Sequence, residues 1–435
     1  MERKIIVQMA GALLRWTSLG RFGTRTVRKE VRKIVEGLET AEEARAGAIA
    51  RAKRAVLEEV AGYLERQGHA EADAGADAGE DALALSSGLV QAELVKDKRR
   101  RSRQGESVRI VVKGRLSTLG LTGRVRRLLG DRLQLERLKA TQRRNTALLS
   151  EYAALEAENR SLGDAPGPAA QRRVRKGFED TARKLAAQEW LDKVQAMWNG
   201  VEYRDAKTAI DYINEAIALV PDYPIYYFYR GNANYYYRQH APAIADYTRA
   251  IELDGRFAEA FNNRGNVHYR LEDYPRAIAD YDQAVRAKPD YADAINNRAN
   301  ARYQQQAHAE ALADYERALA LDPESALYHN NRAITREAAG DAEGALEDYA
   351  RAIALDPGLA VAFCNRGRLH ATLGDPRAAI ADFNRALRQN GRHAESYFER
   401  GNAYRTLGNA GAARRDWKKA ARLGHPEAGR RAGKG

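Results

Sequence analysis

The stretch FNNRGNVHYR, residues 261–270, decides the fold because close variants of it return at a constant interval. INNRANARYQ begins at Ile295, HNNRAITREA at His329 and FCNRGRLHAT at Phe363, so each step is 34 residues long. YFYRGNANYY precedes this series and YFERGNAYRT follows it at the same interval. A fixed period of this length is the sequence signature of a repeat architecture.

Each repeat keeps small and aromatic residues at fixed places. In the second of these repeats they are Gly265, Ala277, Tyr281 and Ala284, and proline or glycine closes most units. The apolar spacing predicts two helices per unit, split by turn-prone pairs such as Glu272-Asp273. Small residues on facing helices allow close packing. One hairpin cannot bury its own apolar face, so neighbouring hairpins are expected to stack into a solenoid.

This pattern resembles the tetratricopeptide repeat family over residues 190–427, with a divergent first unit from Trp190 to Tyr223. The resemblance implies a mainly α fold, a right-handed α-solenoid of about seven helical hairpins. We assign residues 166–435 to this solenoid, including a basic C-terminal cap. The implied function is that of a non-enzymatic scaffold that binds peptide segments or partner proteins in a concave groove.

Asparagine stands two positions before the small residue in four successive units, although it is a poor helix former. The resemblance places this position on the inner surface, where a row of amides can hold an extended peptide backbone. The alternative is that these amides hydrogen-bond to neighbouring backbone or merely face water. The candidate row consists of Asn263, Asn297, Asn331 and Asn365.

Two further sets occupy nearby positions of the first helix in each unit. Tyrosine is favoured at interfaces because it supplies apolar area and a polar tip. A purely structural role between repeats is the alternative for the tyrosines. The candidate peptide-binding residues of these sets are Asn232, Asn266, Asn300, Tyr235, Tyr269 and Tyr303, and Asn402 shares the asparagine position.

Arginine precedes the small residue, and aspartate precedes the aromatic residue, in all six units from Arg230 to Asp416. Opposite charges at fixed repeat positions predict a ladder of structural ion pairs. We expect these pairs to be exposed, where each contributes only about 0–1 kcal/mol.

A different pattern precedes the repeats. Residues 40–68 predict one long helix that starts with a capping box, Thr40 and Glu43, and is followed by an acidic Ala/Gly-rich loop. Residues 88–95 and 106–117 predict two strands, and a third strand is expected before the helix. The small α+β domain is assigned to residues 28–120.

The Thr-x-Glu-Glu-Ala helix start and the SSGLVQAELVKDKR stretch are similar to the LPP20-like and flagellar-assembly-T-like bacterial envelope domains. This resemblance implies the bacterial cell envelope or periplasm. Residues 1–27 are either an ordinary N-terminal segment or a degenerate leader, and a chain without a leader would be cytoplasmic. The sequence therefore leaves the localisation open.

Residues 121–165 are assigned to a helical connector with coiled-coil character. Leu148, Tyr152, Leu155, Asn159 and Leu162 alternate by four and three, which is the spacing of a coiled-coil seam. Two interpretations remain open. The helix packs on its own domain, or residues 121–162 form a weak dimer.

The positive charge lies mainly in the first half, where residues 1–189 hold 38 Lys and Arg against 26 Asp and Glu. The surplus in residues 96–144 leaves nucleic-acid binding or contact with an anionic envelope as the alternative function, with nucleic acid disfavoured because aromatic residues are lacking. Phosphate-binding loops and hydrolase signatures are missing from the sequence, so we expect no enzymatic activity, catalytic residue, metal or cofactor.

Overall fold

The structure is a computed structural model that describes residues 24–66, 78–102, 105–118, 121, 124–125, 132–162, 167–198 and 202–432. Most of the predicted N-terminal segment 1–27 and the predicted helix stop at Gly68 therefore lie outside the described residues. The chain forms two compact units, residues 1–237 and 238–435. The boundaries between the four assigned segments stay predictions.

The first unit begins with a three-stranded antiparallel sheet, β1 (Thr24–Ile34), β2 (Val90–Ser102) and β3 (Gly105–Ser117), in the order β1-β3-β2. Helix α1 (Ala41–Arg66) packs on one face of this sheet. Thr40 Oγ1 accepts from the Glu43 N–H at 3.4 Å, and Glu43 Oε2 accepts from the Thr40 N–H at 2.7 Å. The predicted capping box, long helix and small sheet are thus confirmed.

The acidic stretch before β2 differs from the prediction of a loop, since residues 78–89 form helix α2 (Ala78–Leu89). Burial explains the difference, because Ala82, Leu83, Ala84 and Leu85 are buried and α2 packs on α1. The free energy of burying these side chains outweighs the weak local preference of an Ala/Gly-rich segment. Strand β2 also continues past the predicted end at Val95, as far as Ser102.

Two long helices follow, α3 (Arg132–Ser161) and α4 (Pro168–Met197). The predicted seam residues Leu148 and Tyr152 are buried in a cluster with Val174 and Phe178 of α4. Asn159 accepts from the Leu38 N–H at 3.1 Å and so contacts the segment between β1 and α1. The seam is therefore covered by its own chain, and a dimer through residues 121–162 is not shown.

Short helices occupy the rest of the chain at the predicted period. We call the first helix of each repeat its A helix and the second its B helix. The first unit ends with α5 (Ala206–Leu219) and the A helix α6 (Pro224–Tyr236). The second unit contains the A helices α8 (Ala258–Arg270), α10 (Ala292–Gln304), α12 (Ala326–Ala338), α14 (Ala360–Thr372) and α16 (Ala394–Thr406). Its B helices are α7 (His240–Leu253), α9 (Tyr274–Ala287), α11 (His308–Leu321), α13 (Ala342–Leu355), α15 (Pro376–Gln389) and α17 (Ala410–Arg422), and the short α18 (Ala428–Ala432) follows.

The small residue that recurs in each A helix lies against the aromatic residue of its own hairpin. A Cβ atom at Gly265 would lie 2.7 Å from Tyr281 Cε1, and one at Gly367 would lie 2.9 Å from Phe383 Cε1. Both rings are buried. At these two positions only glycine fits between the helices, whereas Ala299 and Ala333 take the equivalent position in two other repeats.

The turn from the A helix to the B helix needs a left-handed residue. Glu272 has φ 61° and Gln306 has φ 62°, whereas glycine takes this position at Gly340, Gly374 and Gly408. Only glycine adopts this region without steric cost. The predicted turn pairs are therefore confirmed, with strain at the two non-glycine positions.

Replacing Gly265 with Trp should lower the free energy of unfolding by about 2–3 kcal/mol, because the new side chain overlaps Tyr281. Urea unfolding followed by circular dichroism measures this change. Gly255→Ala is the matched control, because no atom lies within 4 Å of a Cβ placed there. An unchanged midpoint for Gly265→Trp would mean that the helix register is wrong.

Candidate functional site

The A helices of the second unit lie next to one another. Each of α8, α10, α12 and α14 contacts the following A helix directly, whereas successive B helices approach each other less closely among residues 238–432. An array whose A helices are closer together than its B helices curves with the A helices on its inner side. The predicted asparagines therefore lie in successive A helices of one continuous stack.

These asparagines are hydrogen-bonded from repeat to repeat. Asn297 Nδ2 donates to Asn262 Oδ1 at 3.0 Å. Asn331 Nδ2 donates to Asn296 Oδ1 at 3.1 Å, and Asn365 donates in the same way to Asn330 at 3.1 Å. Each donor thus pairs with the first asparagine of the preceding NNR motif, a residue that the sequence analysis did not single out.

Bonds between adjacent asparagines complete the row. Asn262 Nδ2 donates to Asn263 Oδ1 at 3.1 Å, and the equivalent bonds of Asn296 and Asn330 to their neighbours are 3.4 Å long. We call this chain of amides, from Asn365 through Asn330, Asn331, Asn296, Asn297 and Asn262 to Asn263, the amide row.

The amide row does not use all the hydrogen bonds that its members can make. A side-chain amide has two N–H donors and a carbonyl with two lone pairs. Asn331 uses one N–H for Asn296 and one lone pair for Asn330, and its side chain is half-buried. Asn297 uses more of its hydrogen-bonding capacity, because it also donates to Asn266 Oδ1 at 3.2 Å. Asn365 is buried and Asn263 is half-buried.

The second set of asparagines contacts the aromatic residues of the B helices. Tyr281 donates its hydroxyl proton to Asn266 Oδ1 at 2.8 Å, and Tyr315 donates to Asn300 Oδ1 at 2.6 Å. In the last repeat the Trp417 indole N–H donates to Asn402 Oδ1 at 3.2 Å. These amides therefore connect the two helices of a hairpin. Asn232 is half-buried on α6 of the first unit.

The candidate tyrosines are half-buried on the A helices. Tyr269 stacks edge-on against Tyr274 at 5.4 Å between ring centroids, and Tyr303 lies 5.7 Å from His308. Tyr235 lies in the first unit, edge-on to Tyr236 at 5.4 Å. Each ring leaves part of its surface accessible to a partner.

The Arg–Asp ladder is present, but the expectation that it is exposed is wrong. Arg366 donates to Asp382 through Nε and Nη2, both at 2.8 Å, and Asp382 is only 5% exposed. The same bidentate pairing, through Nε and Nη2, joins Arg264 to Asp280 and Arg400 to Asp416. Asp382 precedes the buried Phe383 in its B helix and is itself buried.

The single cysteine lies in this stack as well. Cys364 occupies the place that Asn262 holds in an earlier repeat, and it is buried. Burial raises the pKa of its thiol to about 11, so the thiolate is scarce at neutral pH. Cys364 therefore has the features of a small packing residue rather than of a nucleophile.

The basic region predicted at residues 96–144 does not form one surface. Arg124 donates to the Ser117 carbonyl, Lys139 pairs with Asp81 at 2.5 Å, and Arg143 pairs with Glu80. Arg144 lies 3.4 Å above the ring of Tyr223. These four cations beyond β3 are thus engaged within the chain.

Two searches of the described residues give negative results. No group of three or more His, Cys, Asp or Glu residues is arranged to hold a metal ion within the described ranges. None of the helices that the structure describes is long and apolar enough to cross a membrane.

Comparison with known families identifies the repeats. Models of the tetratricopeptide repeat match residues 258–291, 292–325 and 364–429. The chain contains tetratricopeptide repeats. These matches lie in the second unit, so the resemblance of residues 28–120 to bacterial envelope domains stays a prediction. A search of curated proteins finds no match.

Three solved structures are similar to parts of the chain at low sequence identity. A tetratricopeptide repeat protein from Parabacteroides merdae is 19% identical, with 57% of this chain and 97% of that chain covered and a TM-score of 0.48. YrrB, described as a TPR protein with an unusual peptide-binding site, is 23% identical over 41% of this chain and 93% of its own, with a TM-score of 0.33. MamA is 21% identical, with 38% of this chain and 96% of that chain covered and a TM-score of 0.34.

Replacing Arg366 with Met should lower the free energy of unfolding by about 3 kcal/mol, because it leaves the buried Asp382 carboxylate without its main partner. Adding Asp382→Leu should restore most of that loss, since it removes the uncompensated charge. Urea unfolding of the unaltered protein, the single variant and the double variant tests this rescue. Equal stability of Arg366→Met and the unaltered protein would contradict a buried ion pair.

Proposed function

We propose that the A helices of the second unit bind an extended segment of a partner protein, and that the protein is a non-enzymatic interaction scaffold. The observation that carries this proposal is the amide row, which runs through four successive A helices and keeps hydrogen-bonding capacity on half-buried side chains. Amide groups are also what an extended peptide backbone offers at every residue.

The spacing of the row suits such a ligand. Packed helices lie about 8–10 Å apart, and an extended chain rises about 3.3 Å per residue. One asparagine therefore meets about every third residue of the bound segment. Because both groups are amides, this recognition depends on the backbone of the partner rather than on its sequence.

The bonds within the row support binding by fixing the side chains in advance. Asn331 is hydrogen-bonded to Asn296 and Asn330. Its side chain therefore loses little rotamer freedom when a ligand binds. Tyr269 and Tyr303 add half-buried rings on two of the same A helices. Rigid aromatic side chains of this kind supply contact area at low entropic cost.

The finer predictions of the sequence belong to the same proposal. Asn232 and Tyr235 lie on α6 of the first unit and stay predicted peptide-binding residues. The identity of the partner follows from neither residue set. The envelope or periplasmic location rests on the resemblance of residues 28–120 alone.

Replacing Asn331 with Ala should weaken the binding of extended peptides about tenfold, the equivalent of one or two hydrogen bonds. The probe is a set of fluorescent 12-residue peptides of unrelated sequence, each titrated with the full chain and followed by fluorescence anisotropy. The loss should be similar for every peptide that binds, because the contact is to the backbone.

Asn330→Ala is the matched control. Each substitution removes two bonds of the row, but Asn330 is buried whereas Asn331 is half-buried. Both variants should lose similar thermal stability, and Asn330→Ala should change peptide affinity by less than about threefold. The proposal fails if no peptide binds, or if the two variants weaken binding equally.

A further inference from the structure

The face of the sheet that points away from α1 is strongly cationic. Val108, Ile110, Val112 and Leu116 of β3 belong to the core shared with α1, so the alternate residues of β3 lie on the other face. Residues directly opposite in the ladder share a face. This outer face carries eight cations, Arg28, Arg32, Lys96, Lys98, Arg100, Arg109, Lys113 and Arg115, and two carboxylates, Glu30 and Glu93.

The cations are crowded rather than dispersed. Arg32 and Lys98 are both register partners of Arg109, so three positive charges lie side by side across the three strands. Glu30 pairs with Arg109 at 2.7 Å and with Arg32 at 2.9 Å. Directly opposed like charges destabilise a sheet, so fold stability does not account for this arrangement.

Five cations of the face have neither a salt bridge nor a hydrogen bond to any described residue: Arg28, Lys96, Lys98, Arg100 and Lys113. The pKa of Lys96 is lowered, first by the charge of Arg109 and then by burial and the charge of Lys98. Within the first unit, α1 and α2 are the helices that pack on the sheet, and the inner face holds the contacts with α1.

The end of β2 carries its unpaired cations on the outer face. Lys98 and Arg100 lie on the outer face, whereas Arg99 and Arg101 alternate onto the other face, where Arg99 pairs with Glu42 and Arg101 with Glu106. All four are exposed, and the Arg101 side chain retains 87% of its surface. The unpaired cations at this end of the sheet therefore share the outer face with those of β1 and β3.

We propose that the outer face of the sheet binds the phosphate backbone of double-stranded DNA without regard to sequence. Double-stranded DNA carries about one negative charge per 1.7 Å of its axis, so a duplex lying across this face places phosphates against several of the unpaired cations at once. The outer face has no aromatic residue on which unpaired bases could stack, which disfavours single strands.

The test compares two triple variants of the full chain with equal net charge. Lys96→Gln, Lys98→Gln and Arg100→Gln remove three unpaired cations of the face. Arg160→Gln, Arg172→Gln and Lys176→Gln remove three exposed cations from α3 and α4 of the same unit. The probe is a fluorescent 25-base-pair duplex of arbitrary sequence, titrated by anisotropy at several salt concentrations.

The unaltered chain should bind the duplex more tightly than the corresponding single strand, with affinity that falls steeply as salt rises. The face variant should lose at least about tenfold in affinity and should show a shallower salt dependence, because fewer counterions are released. The control variant should stay within about twofold of the unaltered chain, and neither variant should change peptide binding.

Three outcomes would overturn the proposal. Equal losses in both variants would mean that binding follows net charge rather than this face. Absence of duplex binding at 50 mM salt would contradict the proposed DNA binding. Binding to vesicles with 30% phosphatidylglycerol that the face variant loses, without DNA binding, would assign the surface to a membrane instead. These outcomes leave the peptide-binding proposal untouched, because it depends on the second unit.

Discussion

The close contact between a small residue of each A helix and the aromatic residue of its B helix is the constraint on which the second unit depends. At Gly265 there is room for no side chain beside Tyr281, and the same holds at Gly367 beside Phe383. Ala299 and Ala333 take this position in two other repeats, so each of these A helices holds a residue no larger than alanine beside the aromatic, and a constant 34-residue step brings equivalent positions of successive A helices into line. The amide row is a consequence of that alignment, because neighbouring asparagines come within hydrogen-bonding distance only if every hairpin keeps its register.

Much of this arrangement could be predicted from the sequence, since a strict period fixes which residues are equivalent. The helix pairs, the turn at Glu272 and Gly340, and the membership of Asn297 and Asn331 in one row all follow from counting. What counting could not give was the partner of each amide. The NNR motif contains two asparagines, and the sequence offers no reason to prefer a bond between repeats over a bond to water. Only the lateral approach of the A helices brings Asn331 to Asn296.

Other features escaped prediction because they depend on contacts distant in sequence. The segment of residues 78–89 is helical since its alanines and leucines are buried, whereas its local composition favours a loop. Asp382 and its equivalents were expected at the surface, because a single sequence cannot show that the aspartate beside the aromatic is excluded from water. Likewise, the basic run of β2 was visible in the sequence, but the cations that β1 and β3 add to the same face become evident only from the strand register.

The hydrogen bonding of the amide row can be measured directly by hydrogen exchange of side-chain amide protons, in the full chain labelled with ¹⁵N-asparagine. The Nδ2 protons of Asn297, Asn331 and Asn365 should exchange several-fold more slowly than those of Asn390, an exposed side chain outside the row. Replacing Asn296 with Ala should speed exchange at Asn331 and leave Asn365 unchanged, because only the first has lost its acceptor. Equal exchange rates at all four residues would contradict the row, and with it the proposed binding face.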